Sequence, residues 1–564
     1  MKQCCAIVLV LATVGLAAPV VRFAIIGDRT GGHQPGVYEG IVAEVERMKP
    51  EVVFTVGDQI EGYTEDTTAL GEEWREYRSI VAGLSAPLHL IPGNHDITTD
   101  GQLGSFVKYA GQPYYSVDYQ GIHFTMLDAS RWESSDKLPP EQLEWLDRDL
   151  KRAQKSRYTI VFYHKPFWEQ STVRGRPDTL HTLFRKYGVD AVFSGHYHQY
   201  FSGTYDGIKY TDLGSSGGET STGPTGIQYH FTCVTVDDSG IHVAPITAGA
   251  VRAWDDVTTD DMRVIGQNEQ MGLRFPTPFT KTKGPVELVV ANRSSTASLS
   301  DTLRWDVPAG WTVEPRTAAV AAAAGSEARV SFAVACTGRL FPAPVATIRL
   351  PYAEGKSSPV SRPLRVARVA ACNRADVSIS VDGKLDEKFW QKPETQFIDA
   401  EGGPAKTDSP RFYFAHDATN LYVAAVCFDP AVNTMKAQAG EQDAAVYNDD
   451  CVGFFFQPDT SKGDIYQVYL NPRGIAFDQK ITVSPDGDMS TDTKWNGNYQ
   501  VSCANGPTSW TIEAAIPLTQ LGATAEPGQA WGLNFRRKQQ GKKASADWQP
   551  ISYDPNTFGL LDMK

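Results

Sequence analysis

Five places in this 564-residue chain put metal-binding or proton-handling side chains directly after an apolar run. Phe23-Ala24-Ile25-Ile26 leads into Gly27-Asp28, Val52-Val53-Phe54-Thr55-Val56 into Gly57-Asp58, and Leu88-His89-Leu90-Ile91 towards Gly93-Asn94-His95-Asp96. Thr159-Ile160-Val161-Phe162-Tyr163 ends on His164, and Ala191-Val192-Phe193 leads to Gly195-His196-Tyr197-His198. Glycine ahead of a polar residue lets the backbone turn sharply without a Cβ clash. The donors are oxygen and imidazole nitrogen with no sulfur, a set that suits Zn²⁺, Mn²⁺, Fe or Mg²⁺. Taken singly each is weak, because a Gly-Asp after a strand is usually a turn and a strand-end histidine usually a structural residue.

These side chains meet only if the runs are strands of one layered domain. The runs alternate with amphipathic stretches at Val37–Met48, Glu72–Leu84, Pro140–Ala153 and Thr179–Tyr187. Buried strands alternating with helices predict an α/β layered sandwich, β-sheets flanked by helices, over residues 19–270. Side chains at the carboxyl ends of such strands converge in one crevice. After Tyr205 short strands with Gly/Asp turns take over.

The ordered set resembles the calcineurin-like metallophosphoesterase superfamily, whose blocks run Asp-x-His, Gly-Asp-x-x-Asp, Gly-Asn-His-Asp/Glu, His, and Gly-His-x-His. Four of the five blocks are recognisable in order over about 170 residues. The resemblance implies hydrolysis of a phosphate mono- or diester by a hydroxide activated by two divalent metal ions (Mn, Fe, Mg or Zn). It implies that Asp58 bridges the ions, that Asp28 and His198 complete much of the first shell, and that Asn94, His164 and His196 hold the second ion. His95 would reach the substrate, stabilising charge or protonating the leaving oxygen, with Asp96 orienting it.

The chain departs from the pattern in the first block, where Asp28-Arg29-Thr30 lacks the histidine. Purple acid phosphatases also lack it and supply a tyrosine from Gly-Asp-x-x-Tyr; here that position is Glu61. Glu61, His33 in the Gly-rich 30–36 loop and Thr30 are the open substitutes. A carboxylate is the better ligand than a neutral hydroxyl, so Glu61 leads, with an outer hydrogen-bond acceptor as its alternative. Arg29 and His33 are expected at the substrate, Arg29 as a bidentate donor to phosphate oxygen, with a salt bridge as its alternative. The polar 166–177 loop, with Trp168, Arg174 and Arg176, either covers the site or packs as a surface loop; His123 and His181 read as structural.

At this length the chain should hold about three domains. Val286–Asn292, Leu303–Val307, Trp311–Glu314 and Ala328–Ala335 read as strands of a β-sandwich at residues 271–371, and Pro308–Pro315 resembles immunoglobulin-like modules of bacterial extracellular hydrolases. Val381–Trp390, Asn420–Ala424, Asn448–Val452, Trp510–Pro517 and Trp531–Phe535 together resemble family 9 carbohydrate-binding modules, giving a second all-β sandwich at 372–564. Sugar binding needs exposed aromatic faces with polar neighbours. Trp510 and Trp531 sit in strand patterns and should be core; Trp495 and Trp548, in turn-like sequence, are the platform candidates, with a partly buried structural role as their alternative. The partners implied are a phosphorylated small-molecule or glycan-linked substrate and a polysaccharide.

Residues 1–18 read as a signal peptide, with Lys2 ahead of an apolar run and small residues near Ala17-Ala18. The expected location is secreted, periplasmic or cell-surface, and no later run approaches the ~20 apolar residues of a transmembrane segment. A formal charge of −13, from 53 basic and 66 acidic residues, argues against a nucleic-acid-coating role. Six of the eight cysteines lie beyond the leader, with no spacing that favours a pairing. The rival reading is an extracellular glycan-binding protein whose phosphoesterase domain is degenerate and inactive.

Overall fold

The computed structural model describes residues 19–220, 223–376, 379–388, 390, 392–400, 402–484, 489–551 and 553–564. The expected signal peptide, 1–18, lies outside the described residues. Among these residues no helix is long and apolar enough to cross a membrane. The chain divides into two compact units, Met1–Arg263 and Val264–Lys564.

The first unit opens with three β-α repeats: β1 (Val21–Ile26), α1 (Val37–Met48), β2 (Val52–Thr55), α2 (Thr67–Val81), β3 (Leu88–His89) and α3 (Asp100–Tyr109). A hairpin follows, β4 (Tyr115–Tyr119) and β5 (Ile122–Met126), then α4 (Pro140–Ala153), β6 (Tyr158–Phe162), the single turn α5 (Phe167–Gln170), α6 (Thr179–Tyr187) and β7 (Ala191–Ser194). The antiparallel strands β8 (Phe201–Tyr205), β9 (Ile208–Asp212), β10 (His230–Asp237), β11 (Gly240–Thr247) and β12 (Ala250–Val251) come last.

They form two six-stranded sheets, ordered β12-β11-β10-β1-β2-β3 and β4-β5-β6-β7-β9-β8. The pairs β1–β2, β2–β3, β5–β6 and β6–β7 are parallel, which brings their carboxyl ends to one rim of each sheet. The sheets pack face to face through aromatic rings, Phe54 on Phe162 at 4.6 Å between centroids and Phe23 edge-on to Phe124 at 5.4 Å. All four rings are buried, and each contributes about 2–3 kcal/mol of transfer free energy. Tyr38, Val45, Trp74, Tyr77 and Phe106 press α1–α3 onto the first sheet, while Leu146, Leu150, Leu180 and Phe184 press α4 and α6 onto the second. The result is four layers, helix-sheet-sheet-helix, the expected fold class.

Helices α1, α4 and α6 have the expected limits, whereas α2 starts earlier because the Asp66 side chain accepts the amides of Thr68 and Ala69. Helix α3 carries a thin apolar signal, burying only Gln102 and Phe106. Trp168, expected on a loop over the site, is fully buried and donates from Nε1 to Ser194 Oγ at 3.1 Å.

The second unit is all β apart from short helical turns and the end of the helix Thr259–Met271. One sandwich pairs the sheet of Leu273–Arg274, Lys283–Ala291, Glu327–Cys336 and Trp311–Glu314 with that of Thr317–Ala322, Leu299–Asp306, Val345–Ala353 and Lys356–Pro363. The other is built from a twelve-stranded arrangement in which Val369–Arg374 runs parallel to both Gly559–Met563 and Arg411–His416. That strand belongs to the C-terminal sandwich, so a boundary at 371/372 cuts through it.

Trp510 and Trp531 lie in the core of this sandwich. Trp548 does too, which corrects its expected role as a sugar platform: it is fully buried, stacks on Phe535 at 4.7 Å, and donates from Nε1 to Glu394 Oε2 at 3.0 Å. Trp495 is half-buried, leaning on Tyr466 with 5.1 Å between centroids. Cys233, Cys336, Cys372, Cys427, Cys451 and Cys503 are all unpaired.

Candidate metal centre

Among the described residues two groups each bring their ligand atoms within 4.8 Å of one another, one from Asp58, His164 and His196 and one from Asp28, Asp58 and His198. Asp58 is common to both. The carboxyl ends of β1, β2, β6 and β7 deliver these residues, and the loop after β3 adds Asn94 and His95 beside them.

Asp28 is fully buried; its Oδ2 accepts the His196 amide at 2.8 Å and faces His198 Nε2 at 3.3 Å, while its Oδ1 has no hydrogen-bond partner. A Cβ on Gly195 would stand 2.4 Å from that Oδ1, so only glycine lets the turn after β7 close over the carboxylate. The loop 214–218 braces β1 from the other side, with the amides of Ser216 and Gly217 donating to the Asp28 carbonyl at 2.9 and 3.0 Å. Asp58, His196 and His198 all sit in the left-handed backbone region, at φ of 56°, 78° and 53°. Each such residue costs on the order of 1–3 kcal/mol, a strain that clusters at functional sites.

The imidazoles are oriented by main-chain carbonyls. His164 Nδ1 donates to the Val56 carbonyl at 2.8 Å, so its Nε2 faces Asp58 Oδ2 at 3.2 Å and Asn94 Oδ1 at 2.9 Å. His198 Nδ1 donates to the Glu219 carbonyl at 2.6 Å, leaving Nε2 toward Asp28. A ring nitrogen set against carboxylate and amide oxygens demands a positive charge between them. Burial resists charging His164, but the Asp58 carboxylate outweighs it and lifts the pKa to about 9; His198 is raised against burial by Asp28 in the same way. Asp58 is correspondingly lowered to about 2, burial being overcome by His164. His196 goes the other way, pushed down to about 3 by burial and the neighbouring His164. A proton there does what a divalent cation held by the same atoms would do, so the donor set, its orientation and the unpartnered Asp28 Oδ1 all fit a metal site.

His95 sits at the mouth. Its amide donates to Asp58 Oδ1 at 2.9 Å and its Nδ1 to the Glu61 carbonyl at 2.8 Å. A Cβ on Gly31 would lie 3.6 Å from His95 Nε2 and 2.9 Å from His198 Cε1, so both rings border one opening.

Four expectations need correction. Asp96 does not orient His95: it is fully buried, its Oδ2 accepts the amides of Asp58 and Gly93, both at 2.8 Å, and its Oδ1 those of Gln59 and Ile60 at 2.9 and 3.2 Å. Glu61, the leading substitute for the missing histidine, pairs with His33 Nδ1 at 2.6 Å, and both side chains are more than a third exposed. That pair engages His33 Nδ1 with Glu61 and leaves both residues outside the two ligand groups. Arg29 is buried and spent on structure, its Nη2 on Glu76 Oε1 at 2.6 Å and its Nη1 donating to the Gln59 carbonyl at 3.0 Å. The third substitute, Thr30, donates its hydroxyl to the Asp58 carbonyl at 3.1 Å.

Sequence reasoning missed Tyr63, whose ring packs edge-on against His95 at 4.5 Å between centroids and whose Oη accepts from Asn94 Nδ2 at 2.6 Å. A lone aromatic after Gly62 was the one available signal. The Glu219 carbonyl was missed as well, and a main-chain acceptor leaves no mark in residue type.

Residues 21–200 match the family model described as Calcineurin-like phosphoesterase, and residues 381–564 that described as Carbohydrate family 9 binding domain-like. Serine/threonine-protein phosphatase CPPED1 of Homo sapiens is 27% identical over 217 residues, spanning 34% of this chain and 67% of that protein. Purple acid phosphatase 15 of Arabidopsis thaliana is 32% identical over 134 residues, 20% of this chain and 25% of that one. Among solved structures, a dimetal phosphatase from Danio rerio aligns at TM-score 0.31 and 17% identity over 41% of this chain and 99% of its own. A family 9 carbohydrate binding module from Caldicellulosiruptor kristjanssonii in complex with glucose aligns at TM-score 0.26 and 18% identity over 35% of this chain and 95% of its own.

Proposed function

We propose, for a chain whose residues 21–200 are a calcineurin-like phosphoesterase and whose residues 381–564 are a family 9 carbohydrate-binding-like domain, that it hydrolyses a phosphate mono- or diester at a two-metal centre. The observation that carries this reading is Asp58, one carboxylate shared by two sets of ligand atoms. Asp28, Asp58 and His198 would hold one divalent ion, and Asp58, Asn94, His164 and His196 the other. Two ions bound there supply positive charge to the phosphoryl oxygens and acidify a water toward a pKa of about 7.

The chain's own residues do the rest. His95, fixed through its amide to Asp58 and through Nδ1–H to the Glu61 carbonyl, turns Nε2 to the opening, and as the imidazolium it would hand its Nε2 proton to the leaving oxygen. A positioned acid or base of this kind is worth ~10²–10⁴ in rate. Asp96 holds the two loops that carry Asp58 and Gly93 in register. With no histidine in the first block and Glu61 paired with His33, the first ion would be held by Asp28, Asp58 and His198 alone, which would favour weaker binding.

The substrate we propose is a phosphorylated small molecule or a glycan-linked ester, with the C-terminal domain holding polysaccharide. The pattern of residues 1–18 supports export to the periplasm, cell surface or medium. The test is metal analysis of the purified protein together with turnover of p-nitrophenyl phosphate and bis(p-nitrophenyl) phosphate. Bound divalent metal with turnover of either ester supports the reading. Failure to bind Mn²⁺, Fe²⁺ or Zn²⁺, with no turnover, overturns it in favour of a glycan-binding protein with a degenerate site.

A further inference from the structure

We infer that Tyr63 is a positioning residue of the metal centre, its hydroxyl holding the Asn94 side chain where its amide oxygen faces the His164 side of the site. The inference rests on the two-metal reading above. An amide side chain offers an acceptor oxygen at one end and a donor NH₂ at the other, and only the oxygen can bind a cation. Asn94 Oδ1 points to the His164 side, 2.9 Å from Nε2, and Nδ2 donates to Tyr63 Oη at 2.6 Å. The 2.6 Å bond ties the outer end of the Asn94 side chain to the 61–63 turn, which holds its inner end beside His164.

The chain strains to put Tyr63 there. Its φ is 51°, left-handed for a bulky residue, yet its side chain is not rewarded by burial, being 58% exposed. The preceding Gly62 would drive a Cβ to 1.7 Å from the His95 carbonyl oxygen, so the 61–63 turn is pressed directly onto the loop that carries Asn94 and His95. Backbone strain in an exposed aromatic, unpaid by packing, calls for a local contact that needs the residue. The contacts of Tyr63 are the Asn94 amide and the edge-on ring of His95. One side chain thus steadies a ligand of the second ion and walls the proton-carrying imidazole.

Outer hydrogen-bond partners of metal ligands typically cost 10–100-fold in affinity when removed. The experiment is calorimetric titration of the metal-free full chain with Mn²⁺ alone, for the wild type, Tyr63→Phe, Asn94→Ala and the double variant. Tyr63→Phe keeps the ring and should weaken one of two Mn²⁺ sites by about 10–100-fold. With no ligand side chain left to position, the same change in the Asn94→Ala background should alter affinity by less than about twofold. Equal weakening in both backgrounds, or none in either, overturns the inference while leaving the two-metal reading intact. A wild type that binds no Mn²⁺ overturns both.

Discussion

Asp96 Oδ2 accepts the amide of Asp58 at 2.8 Å, so the residue beside the site's histidine in sequence acts on the residue at the site's centre. The same carboxylate takes the amides of Gln59, Ile60 and Gly93, which ties the turn after β2 to the turn after β3. Asp96→Asn keeps the size but turns an NH₂ toward two of those amides. Stranding buried donors in this way should lower stability by about 3 kcal/mol and loosen Asp58. Urea denaturation with parallel metal analysis checks this; an unchanged midpoint with full metal content would refute it.

Asp58→Asn should cost both ions, because a single carboxylate serves both ligand groups. His95→Asn should leave metal content unchanged and slow ester turnover by ~10²–10⁴-fold. Metal analysis separates the two variants, and loss of an ion in His95→Asn would make that residue a ligand.

The parts of this site that were legible in the sequence are those written locally. Each apolar run and the ligand after it lie within a few residues, so strand-end geometry could be read off the pattern, and Asp28, Asp58, His164, His196 and His198 do converge. What the pattern did not carry is how loops distant in sequence share contacts. Asp96 and Asp58 are 38 residues apart, and Tyr63 and Asn94 are 31 apart. Arg29 follows Asp28 directly, yet the chain turns its guanidinium outward to Glu76 on α2. Trp548 looked exposed because Asp547 and Gln549 flank it, but both are buried as well, Gln549 bonding the Val366 and Thr557 carbonyls. Polar neighbours mark a surface only when their hydrogen bonds go to water.

Glu61 and His33 give a prediction opposite to the one their residue types suggest. Their 2.6 Å pair lies outside the ligand groups and is open to solvent, where ion pairs contribute about 0–1 kcal/mol. Glu61→Gln and His33→Ala should each leave Mn²⁺ stoichiometry and melting temperature close to wild type. Selective loss of one ion in Glu61→Gln would restore it as the substitute for the missing histidine.

Glu513 makes stability depend on pH. It is fully buried, its Oε2 accepts the amides of Asp382 and Gly383, both at 3.0 Å, and its Oε1 has no partner. Burial raises its pKa from 4.5 to about 7. The folded chain therefore holds this proton more tightly than the unfolded one. Its contribution is greatest at low pH and is lost as pH rises between those values, by on the order of 2–3 kcal/mol. Glu513→Gln keeps an oxygen for both amides and removes the charge. Thermal unfolding compared at about pH 5 and about pH 8 should show a smaller pH dependence in the variant; identical profiles would count against this account.

The two tryptophans once equal as sugar platforms should now behave differently. Trp548 is closed in by Phe535 and holds Glu394 through its indole N–H, so Trp548→Ala opens a cavity and takes a hydrogen bond from a half-buried carboxylate. Burial already raises the pKa of Glu394, and losing the indole donor removes one of the contacts that hold it down. The expected cost is about 3–5 kcal/mol, seen as a lower unfolding transition of the C-terminal sandwich. Trp495 is half-buried at the edge of the core, leaning on Tyr466, so Trp495→Ala should cost less stability. If this domain binds polysaccharide through Trp495, the variant should lose retention on an insoluble glycan while p-nitrophenyl phosphate turnover stays unchanged. Retention equal to wild type would remove Trp495 from any sugar site, and a fully stable Trp548→Ala would contradict its place in the core.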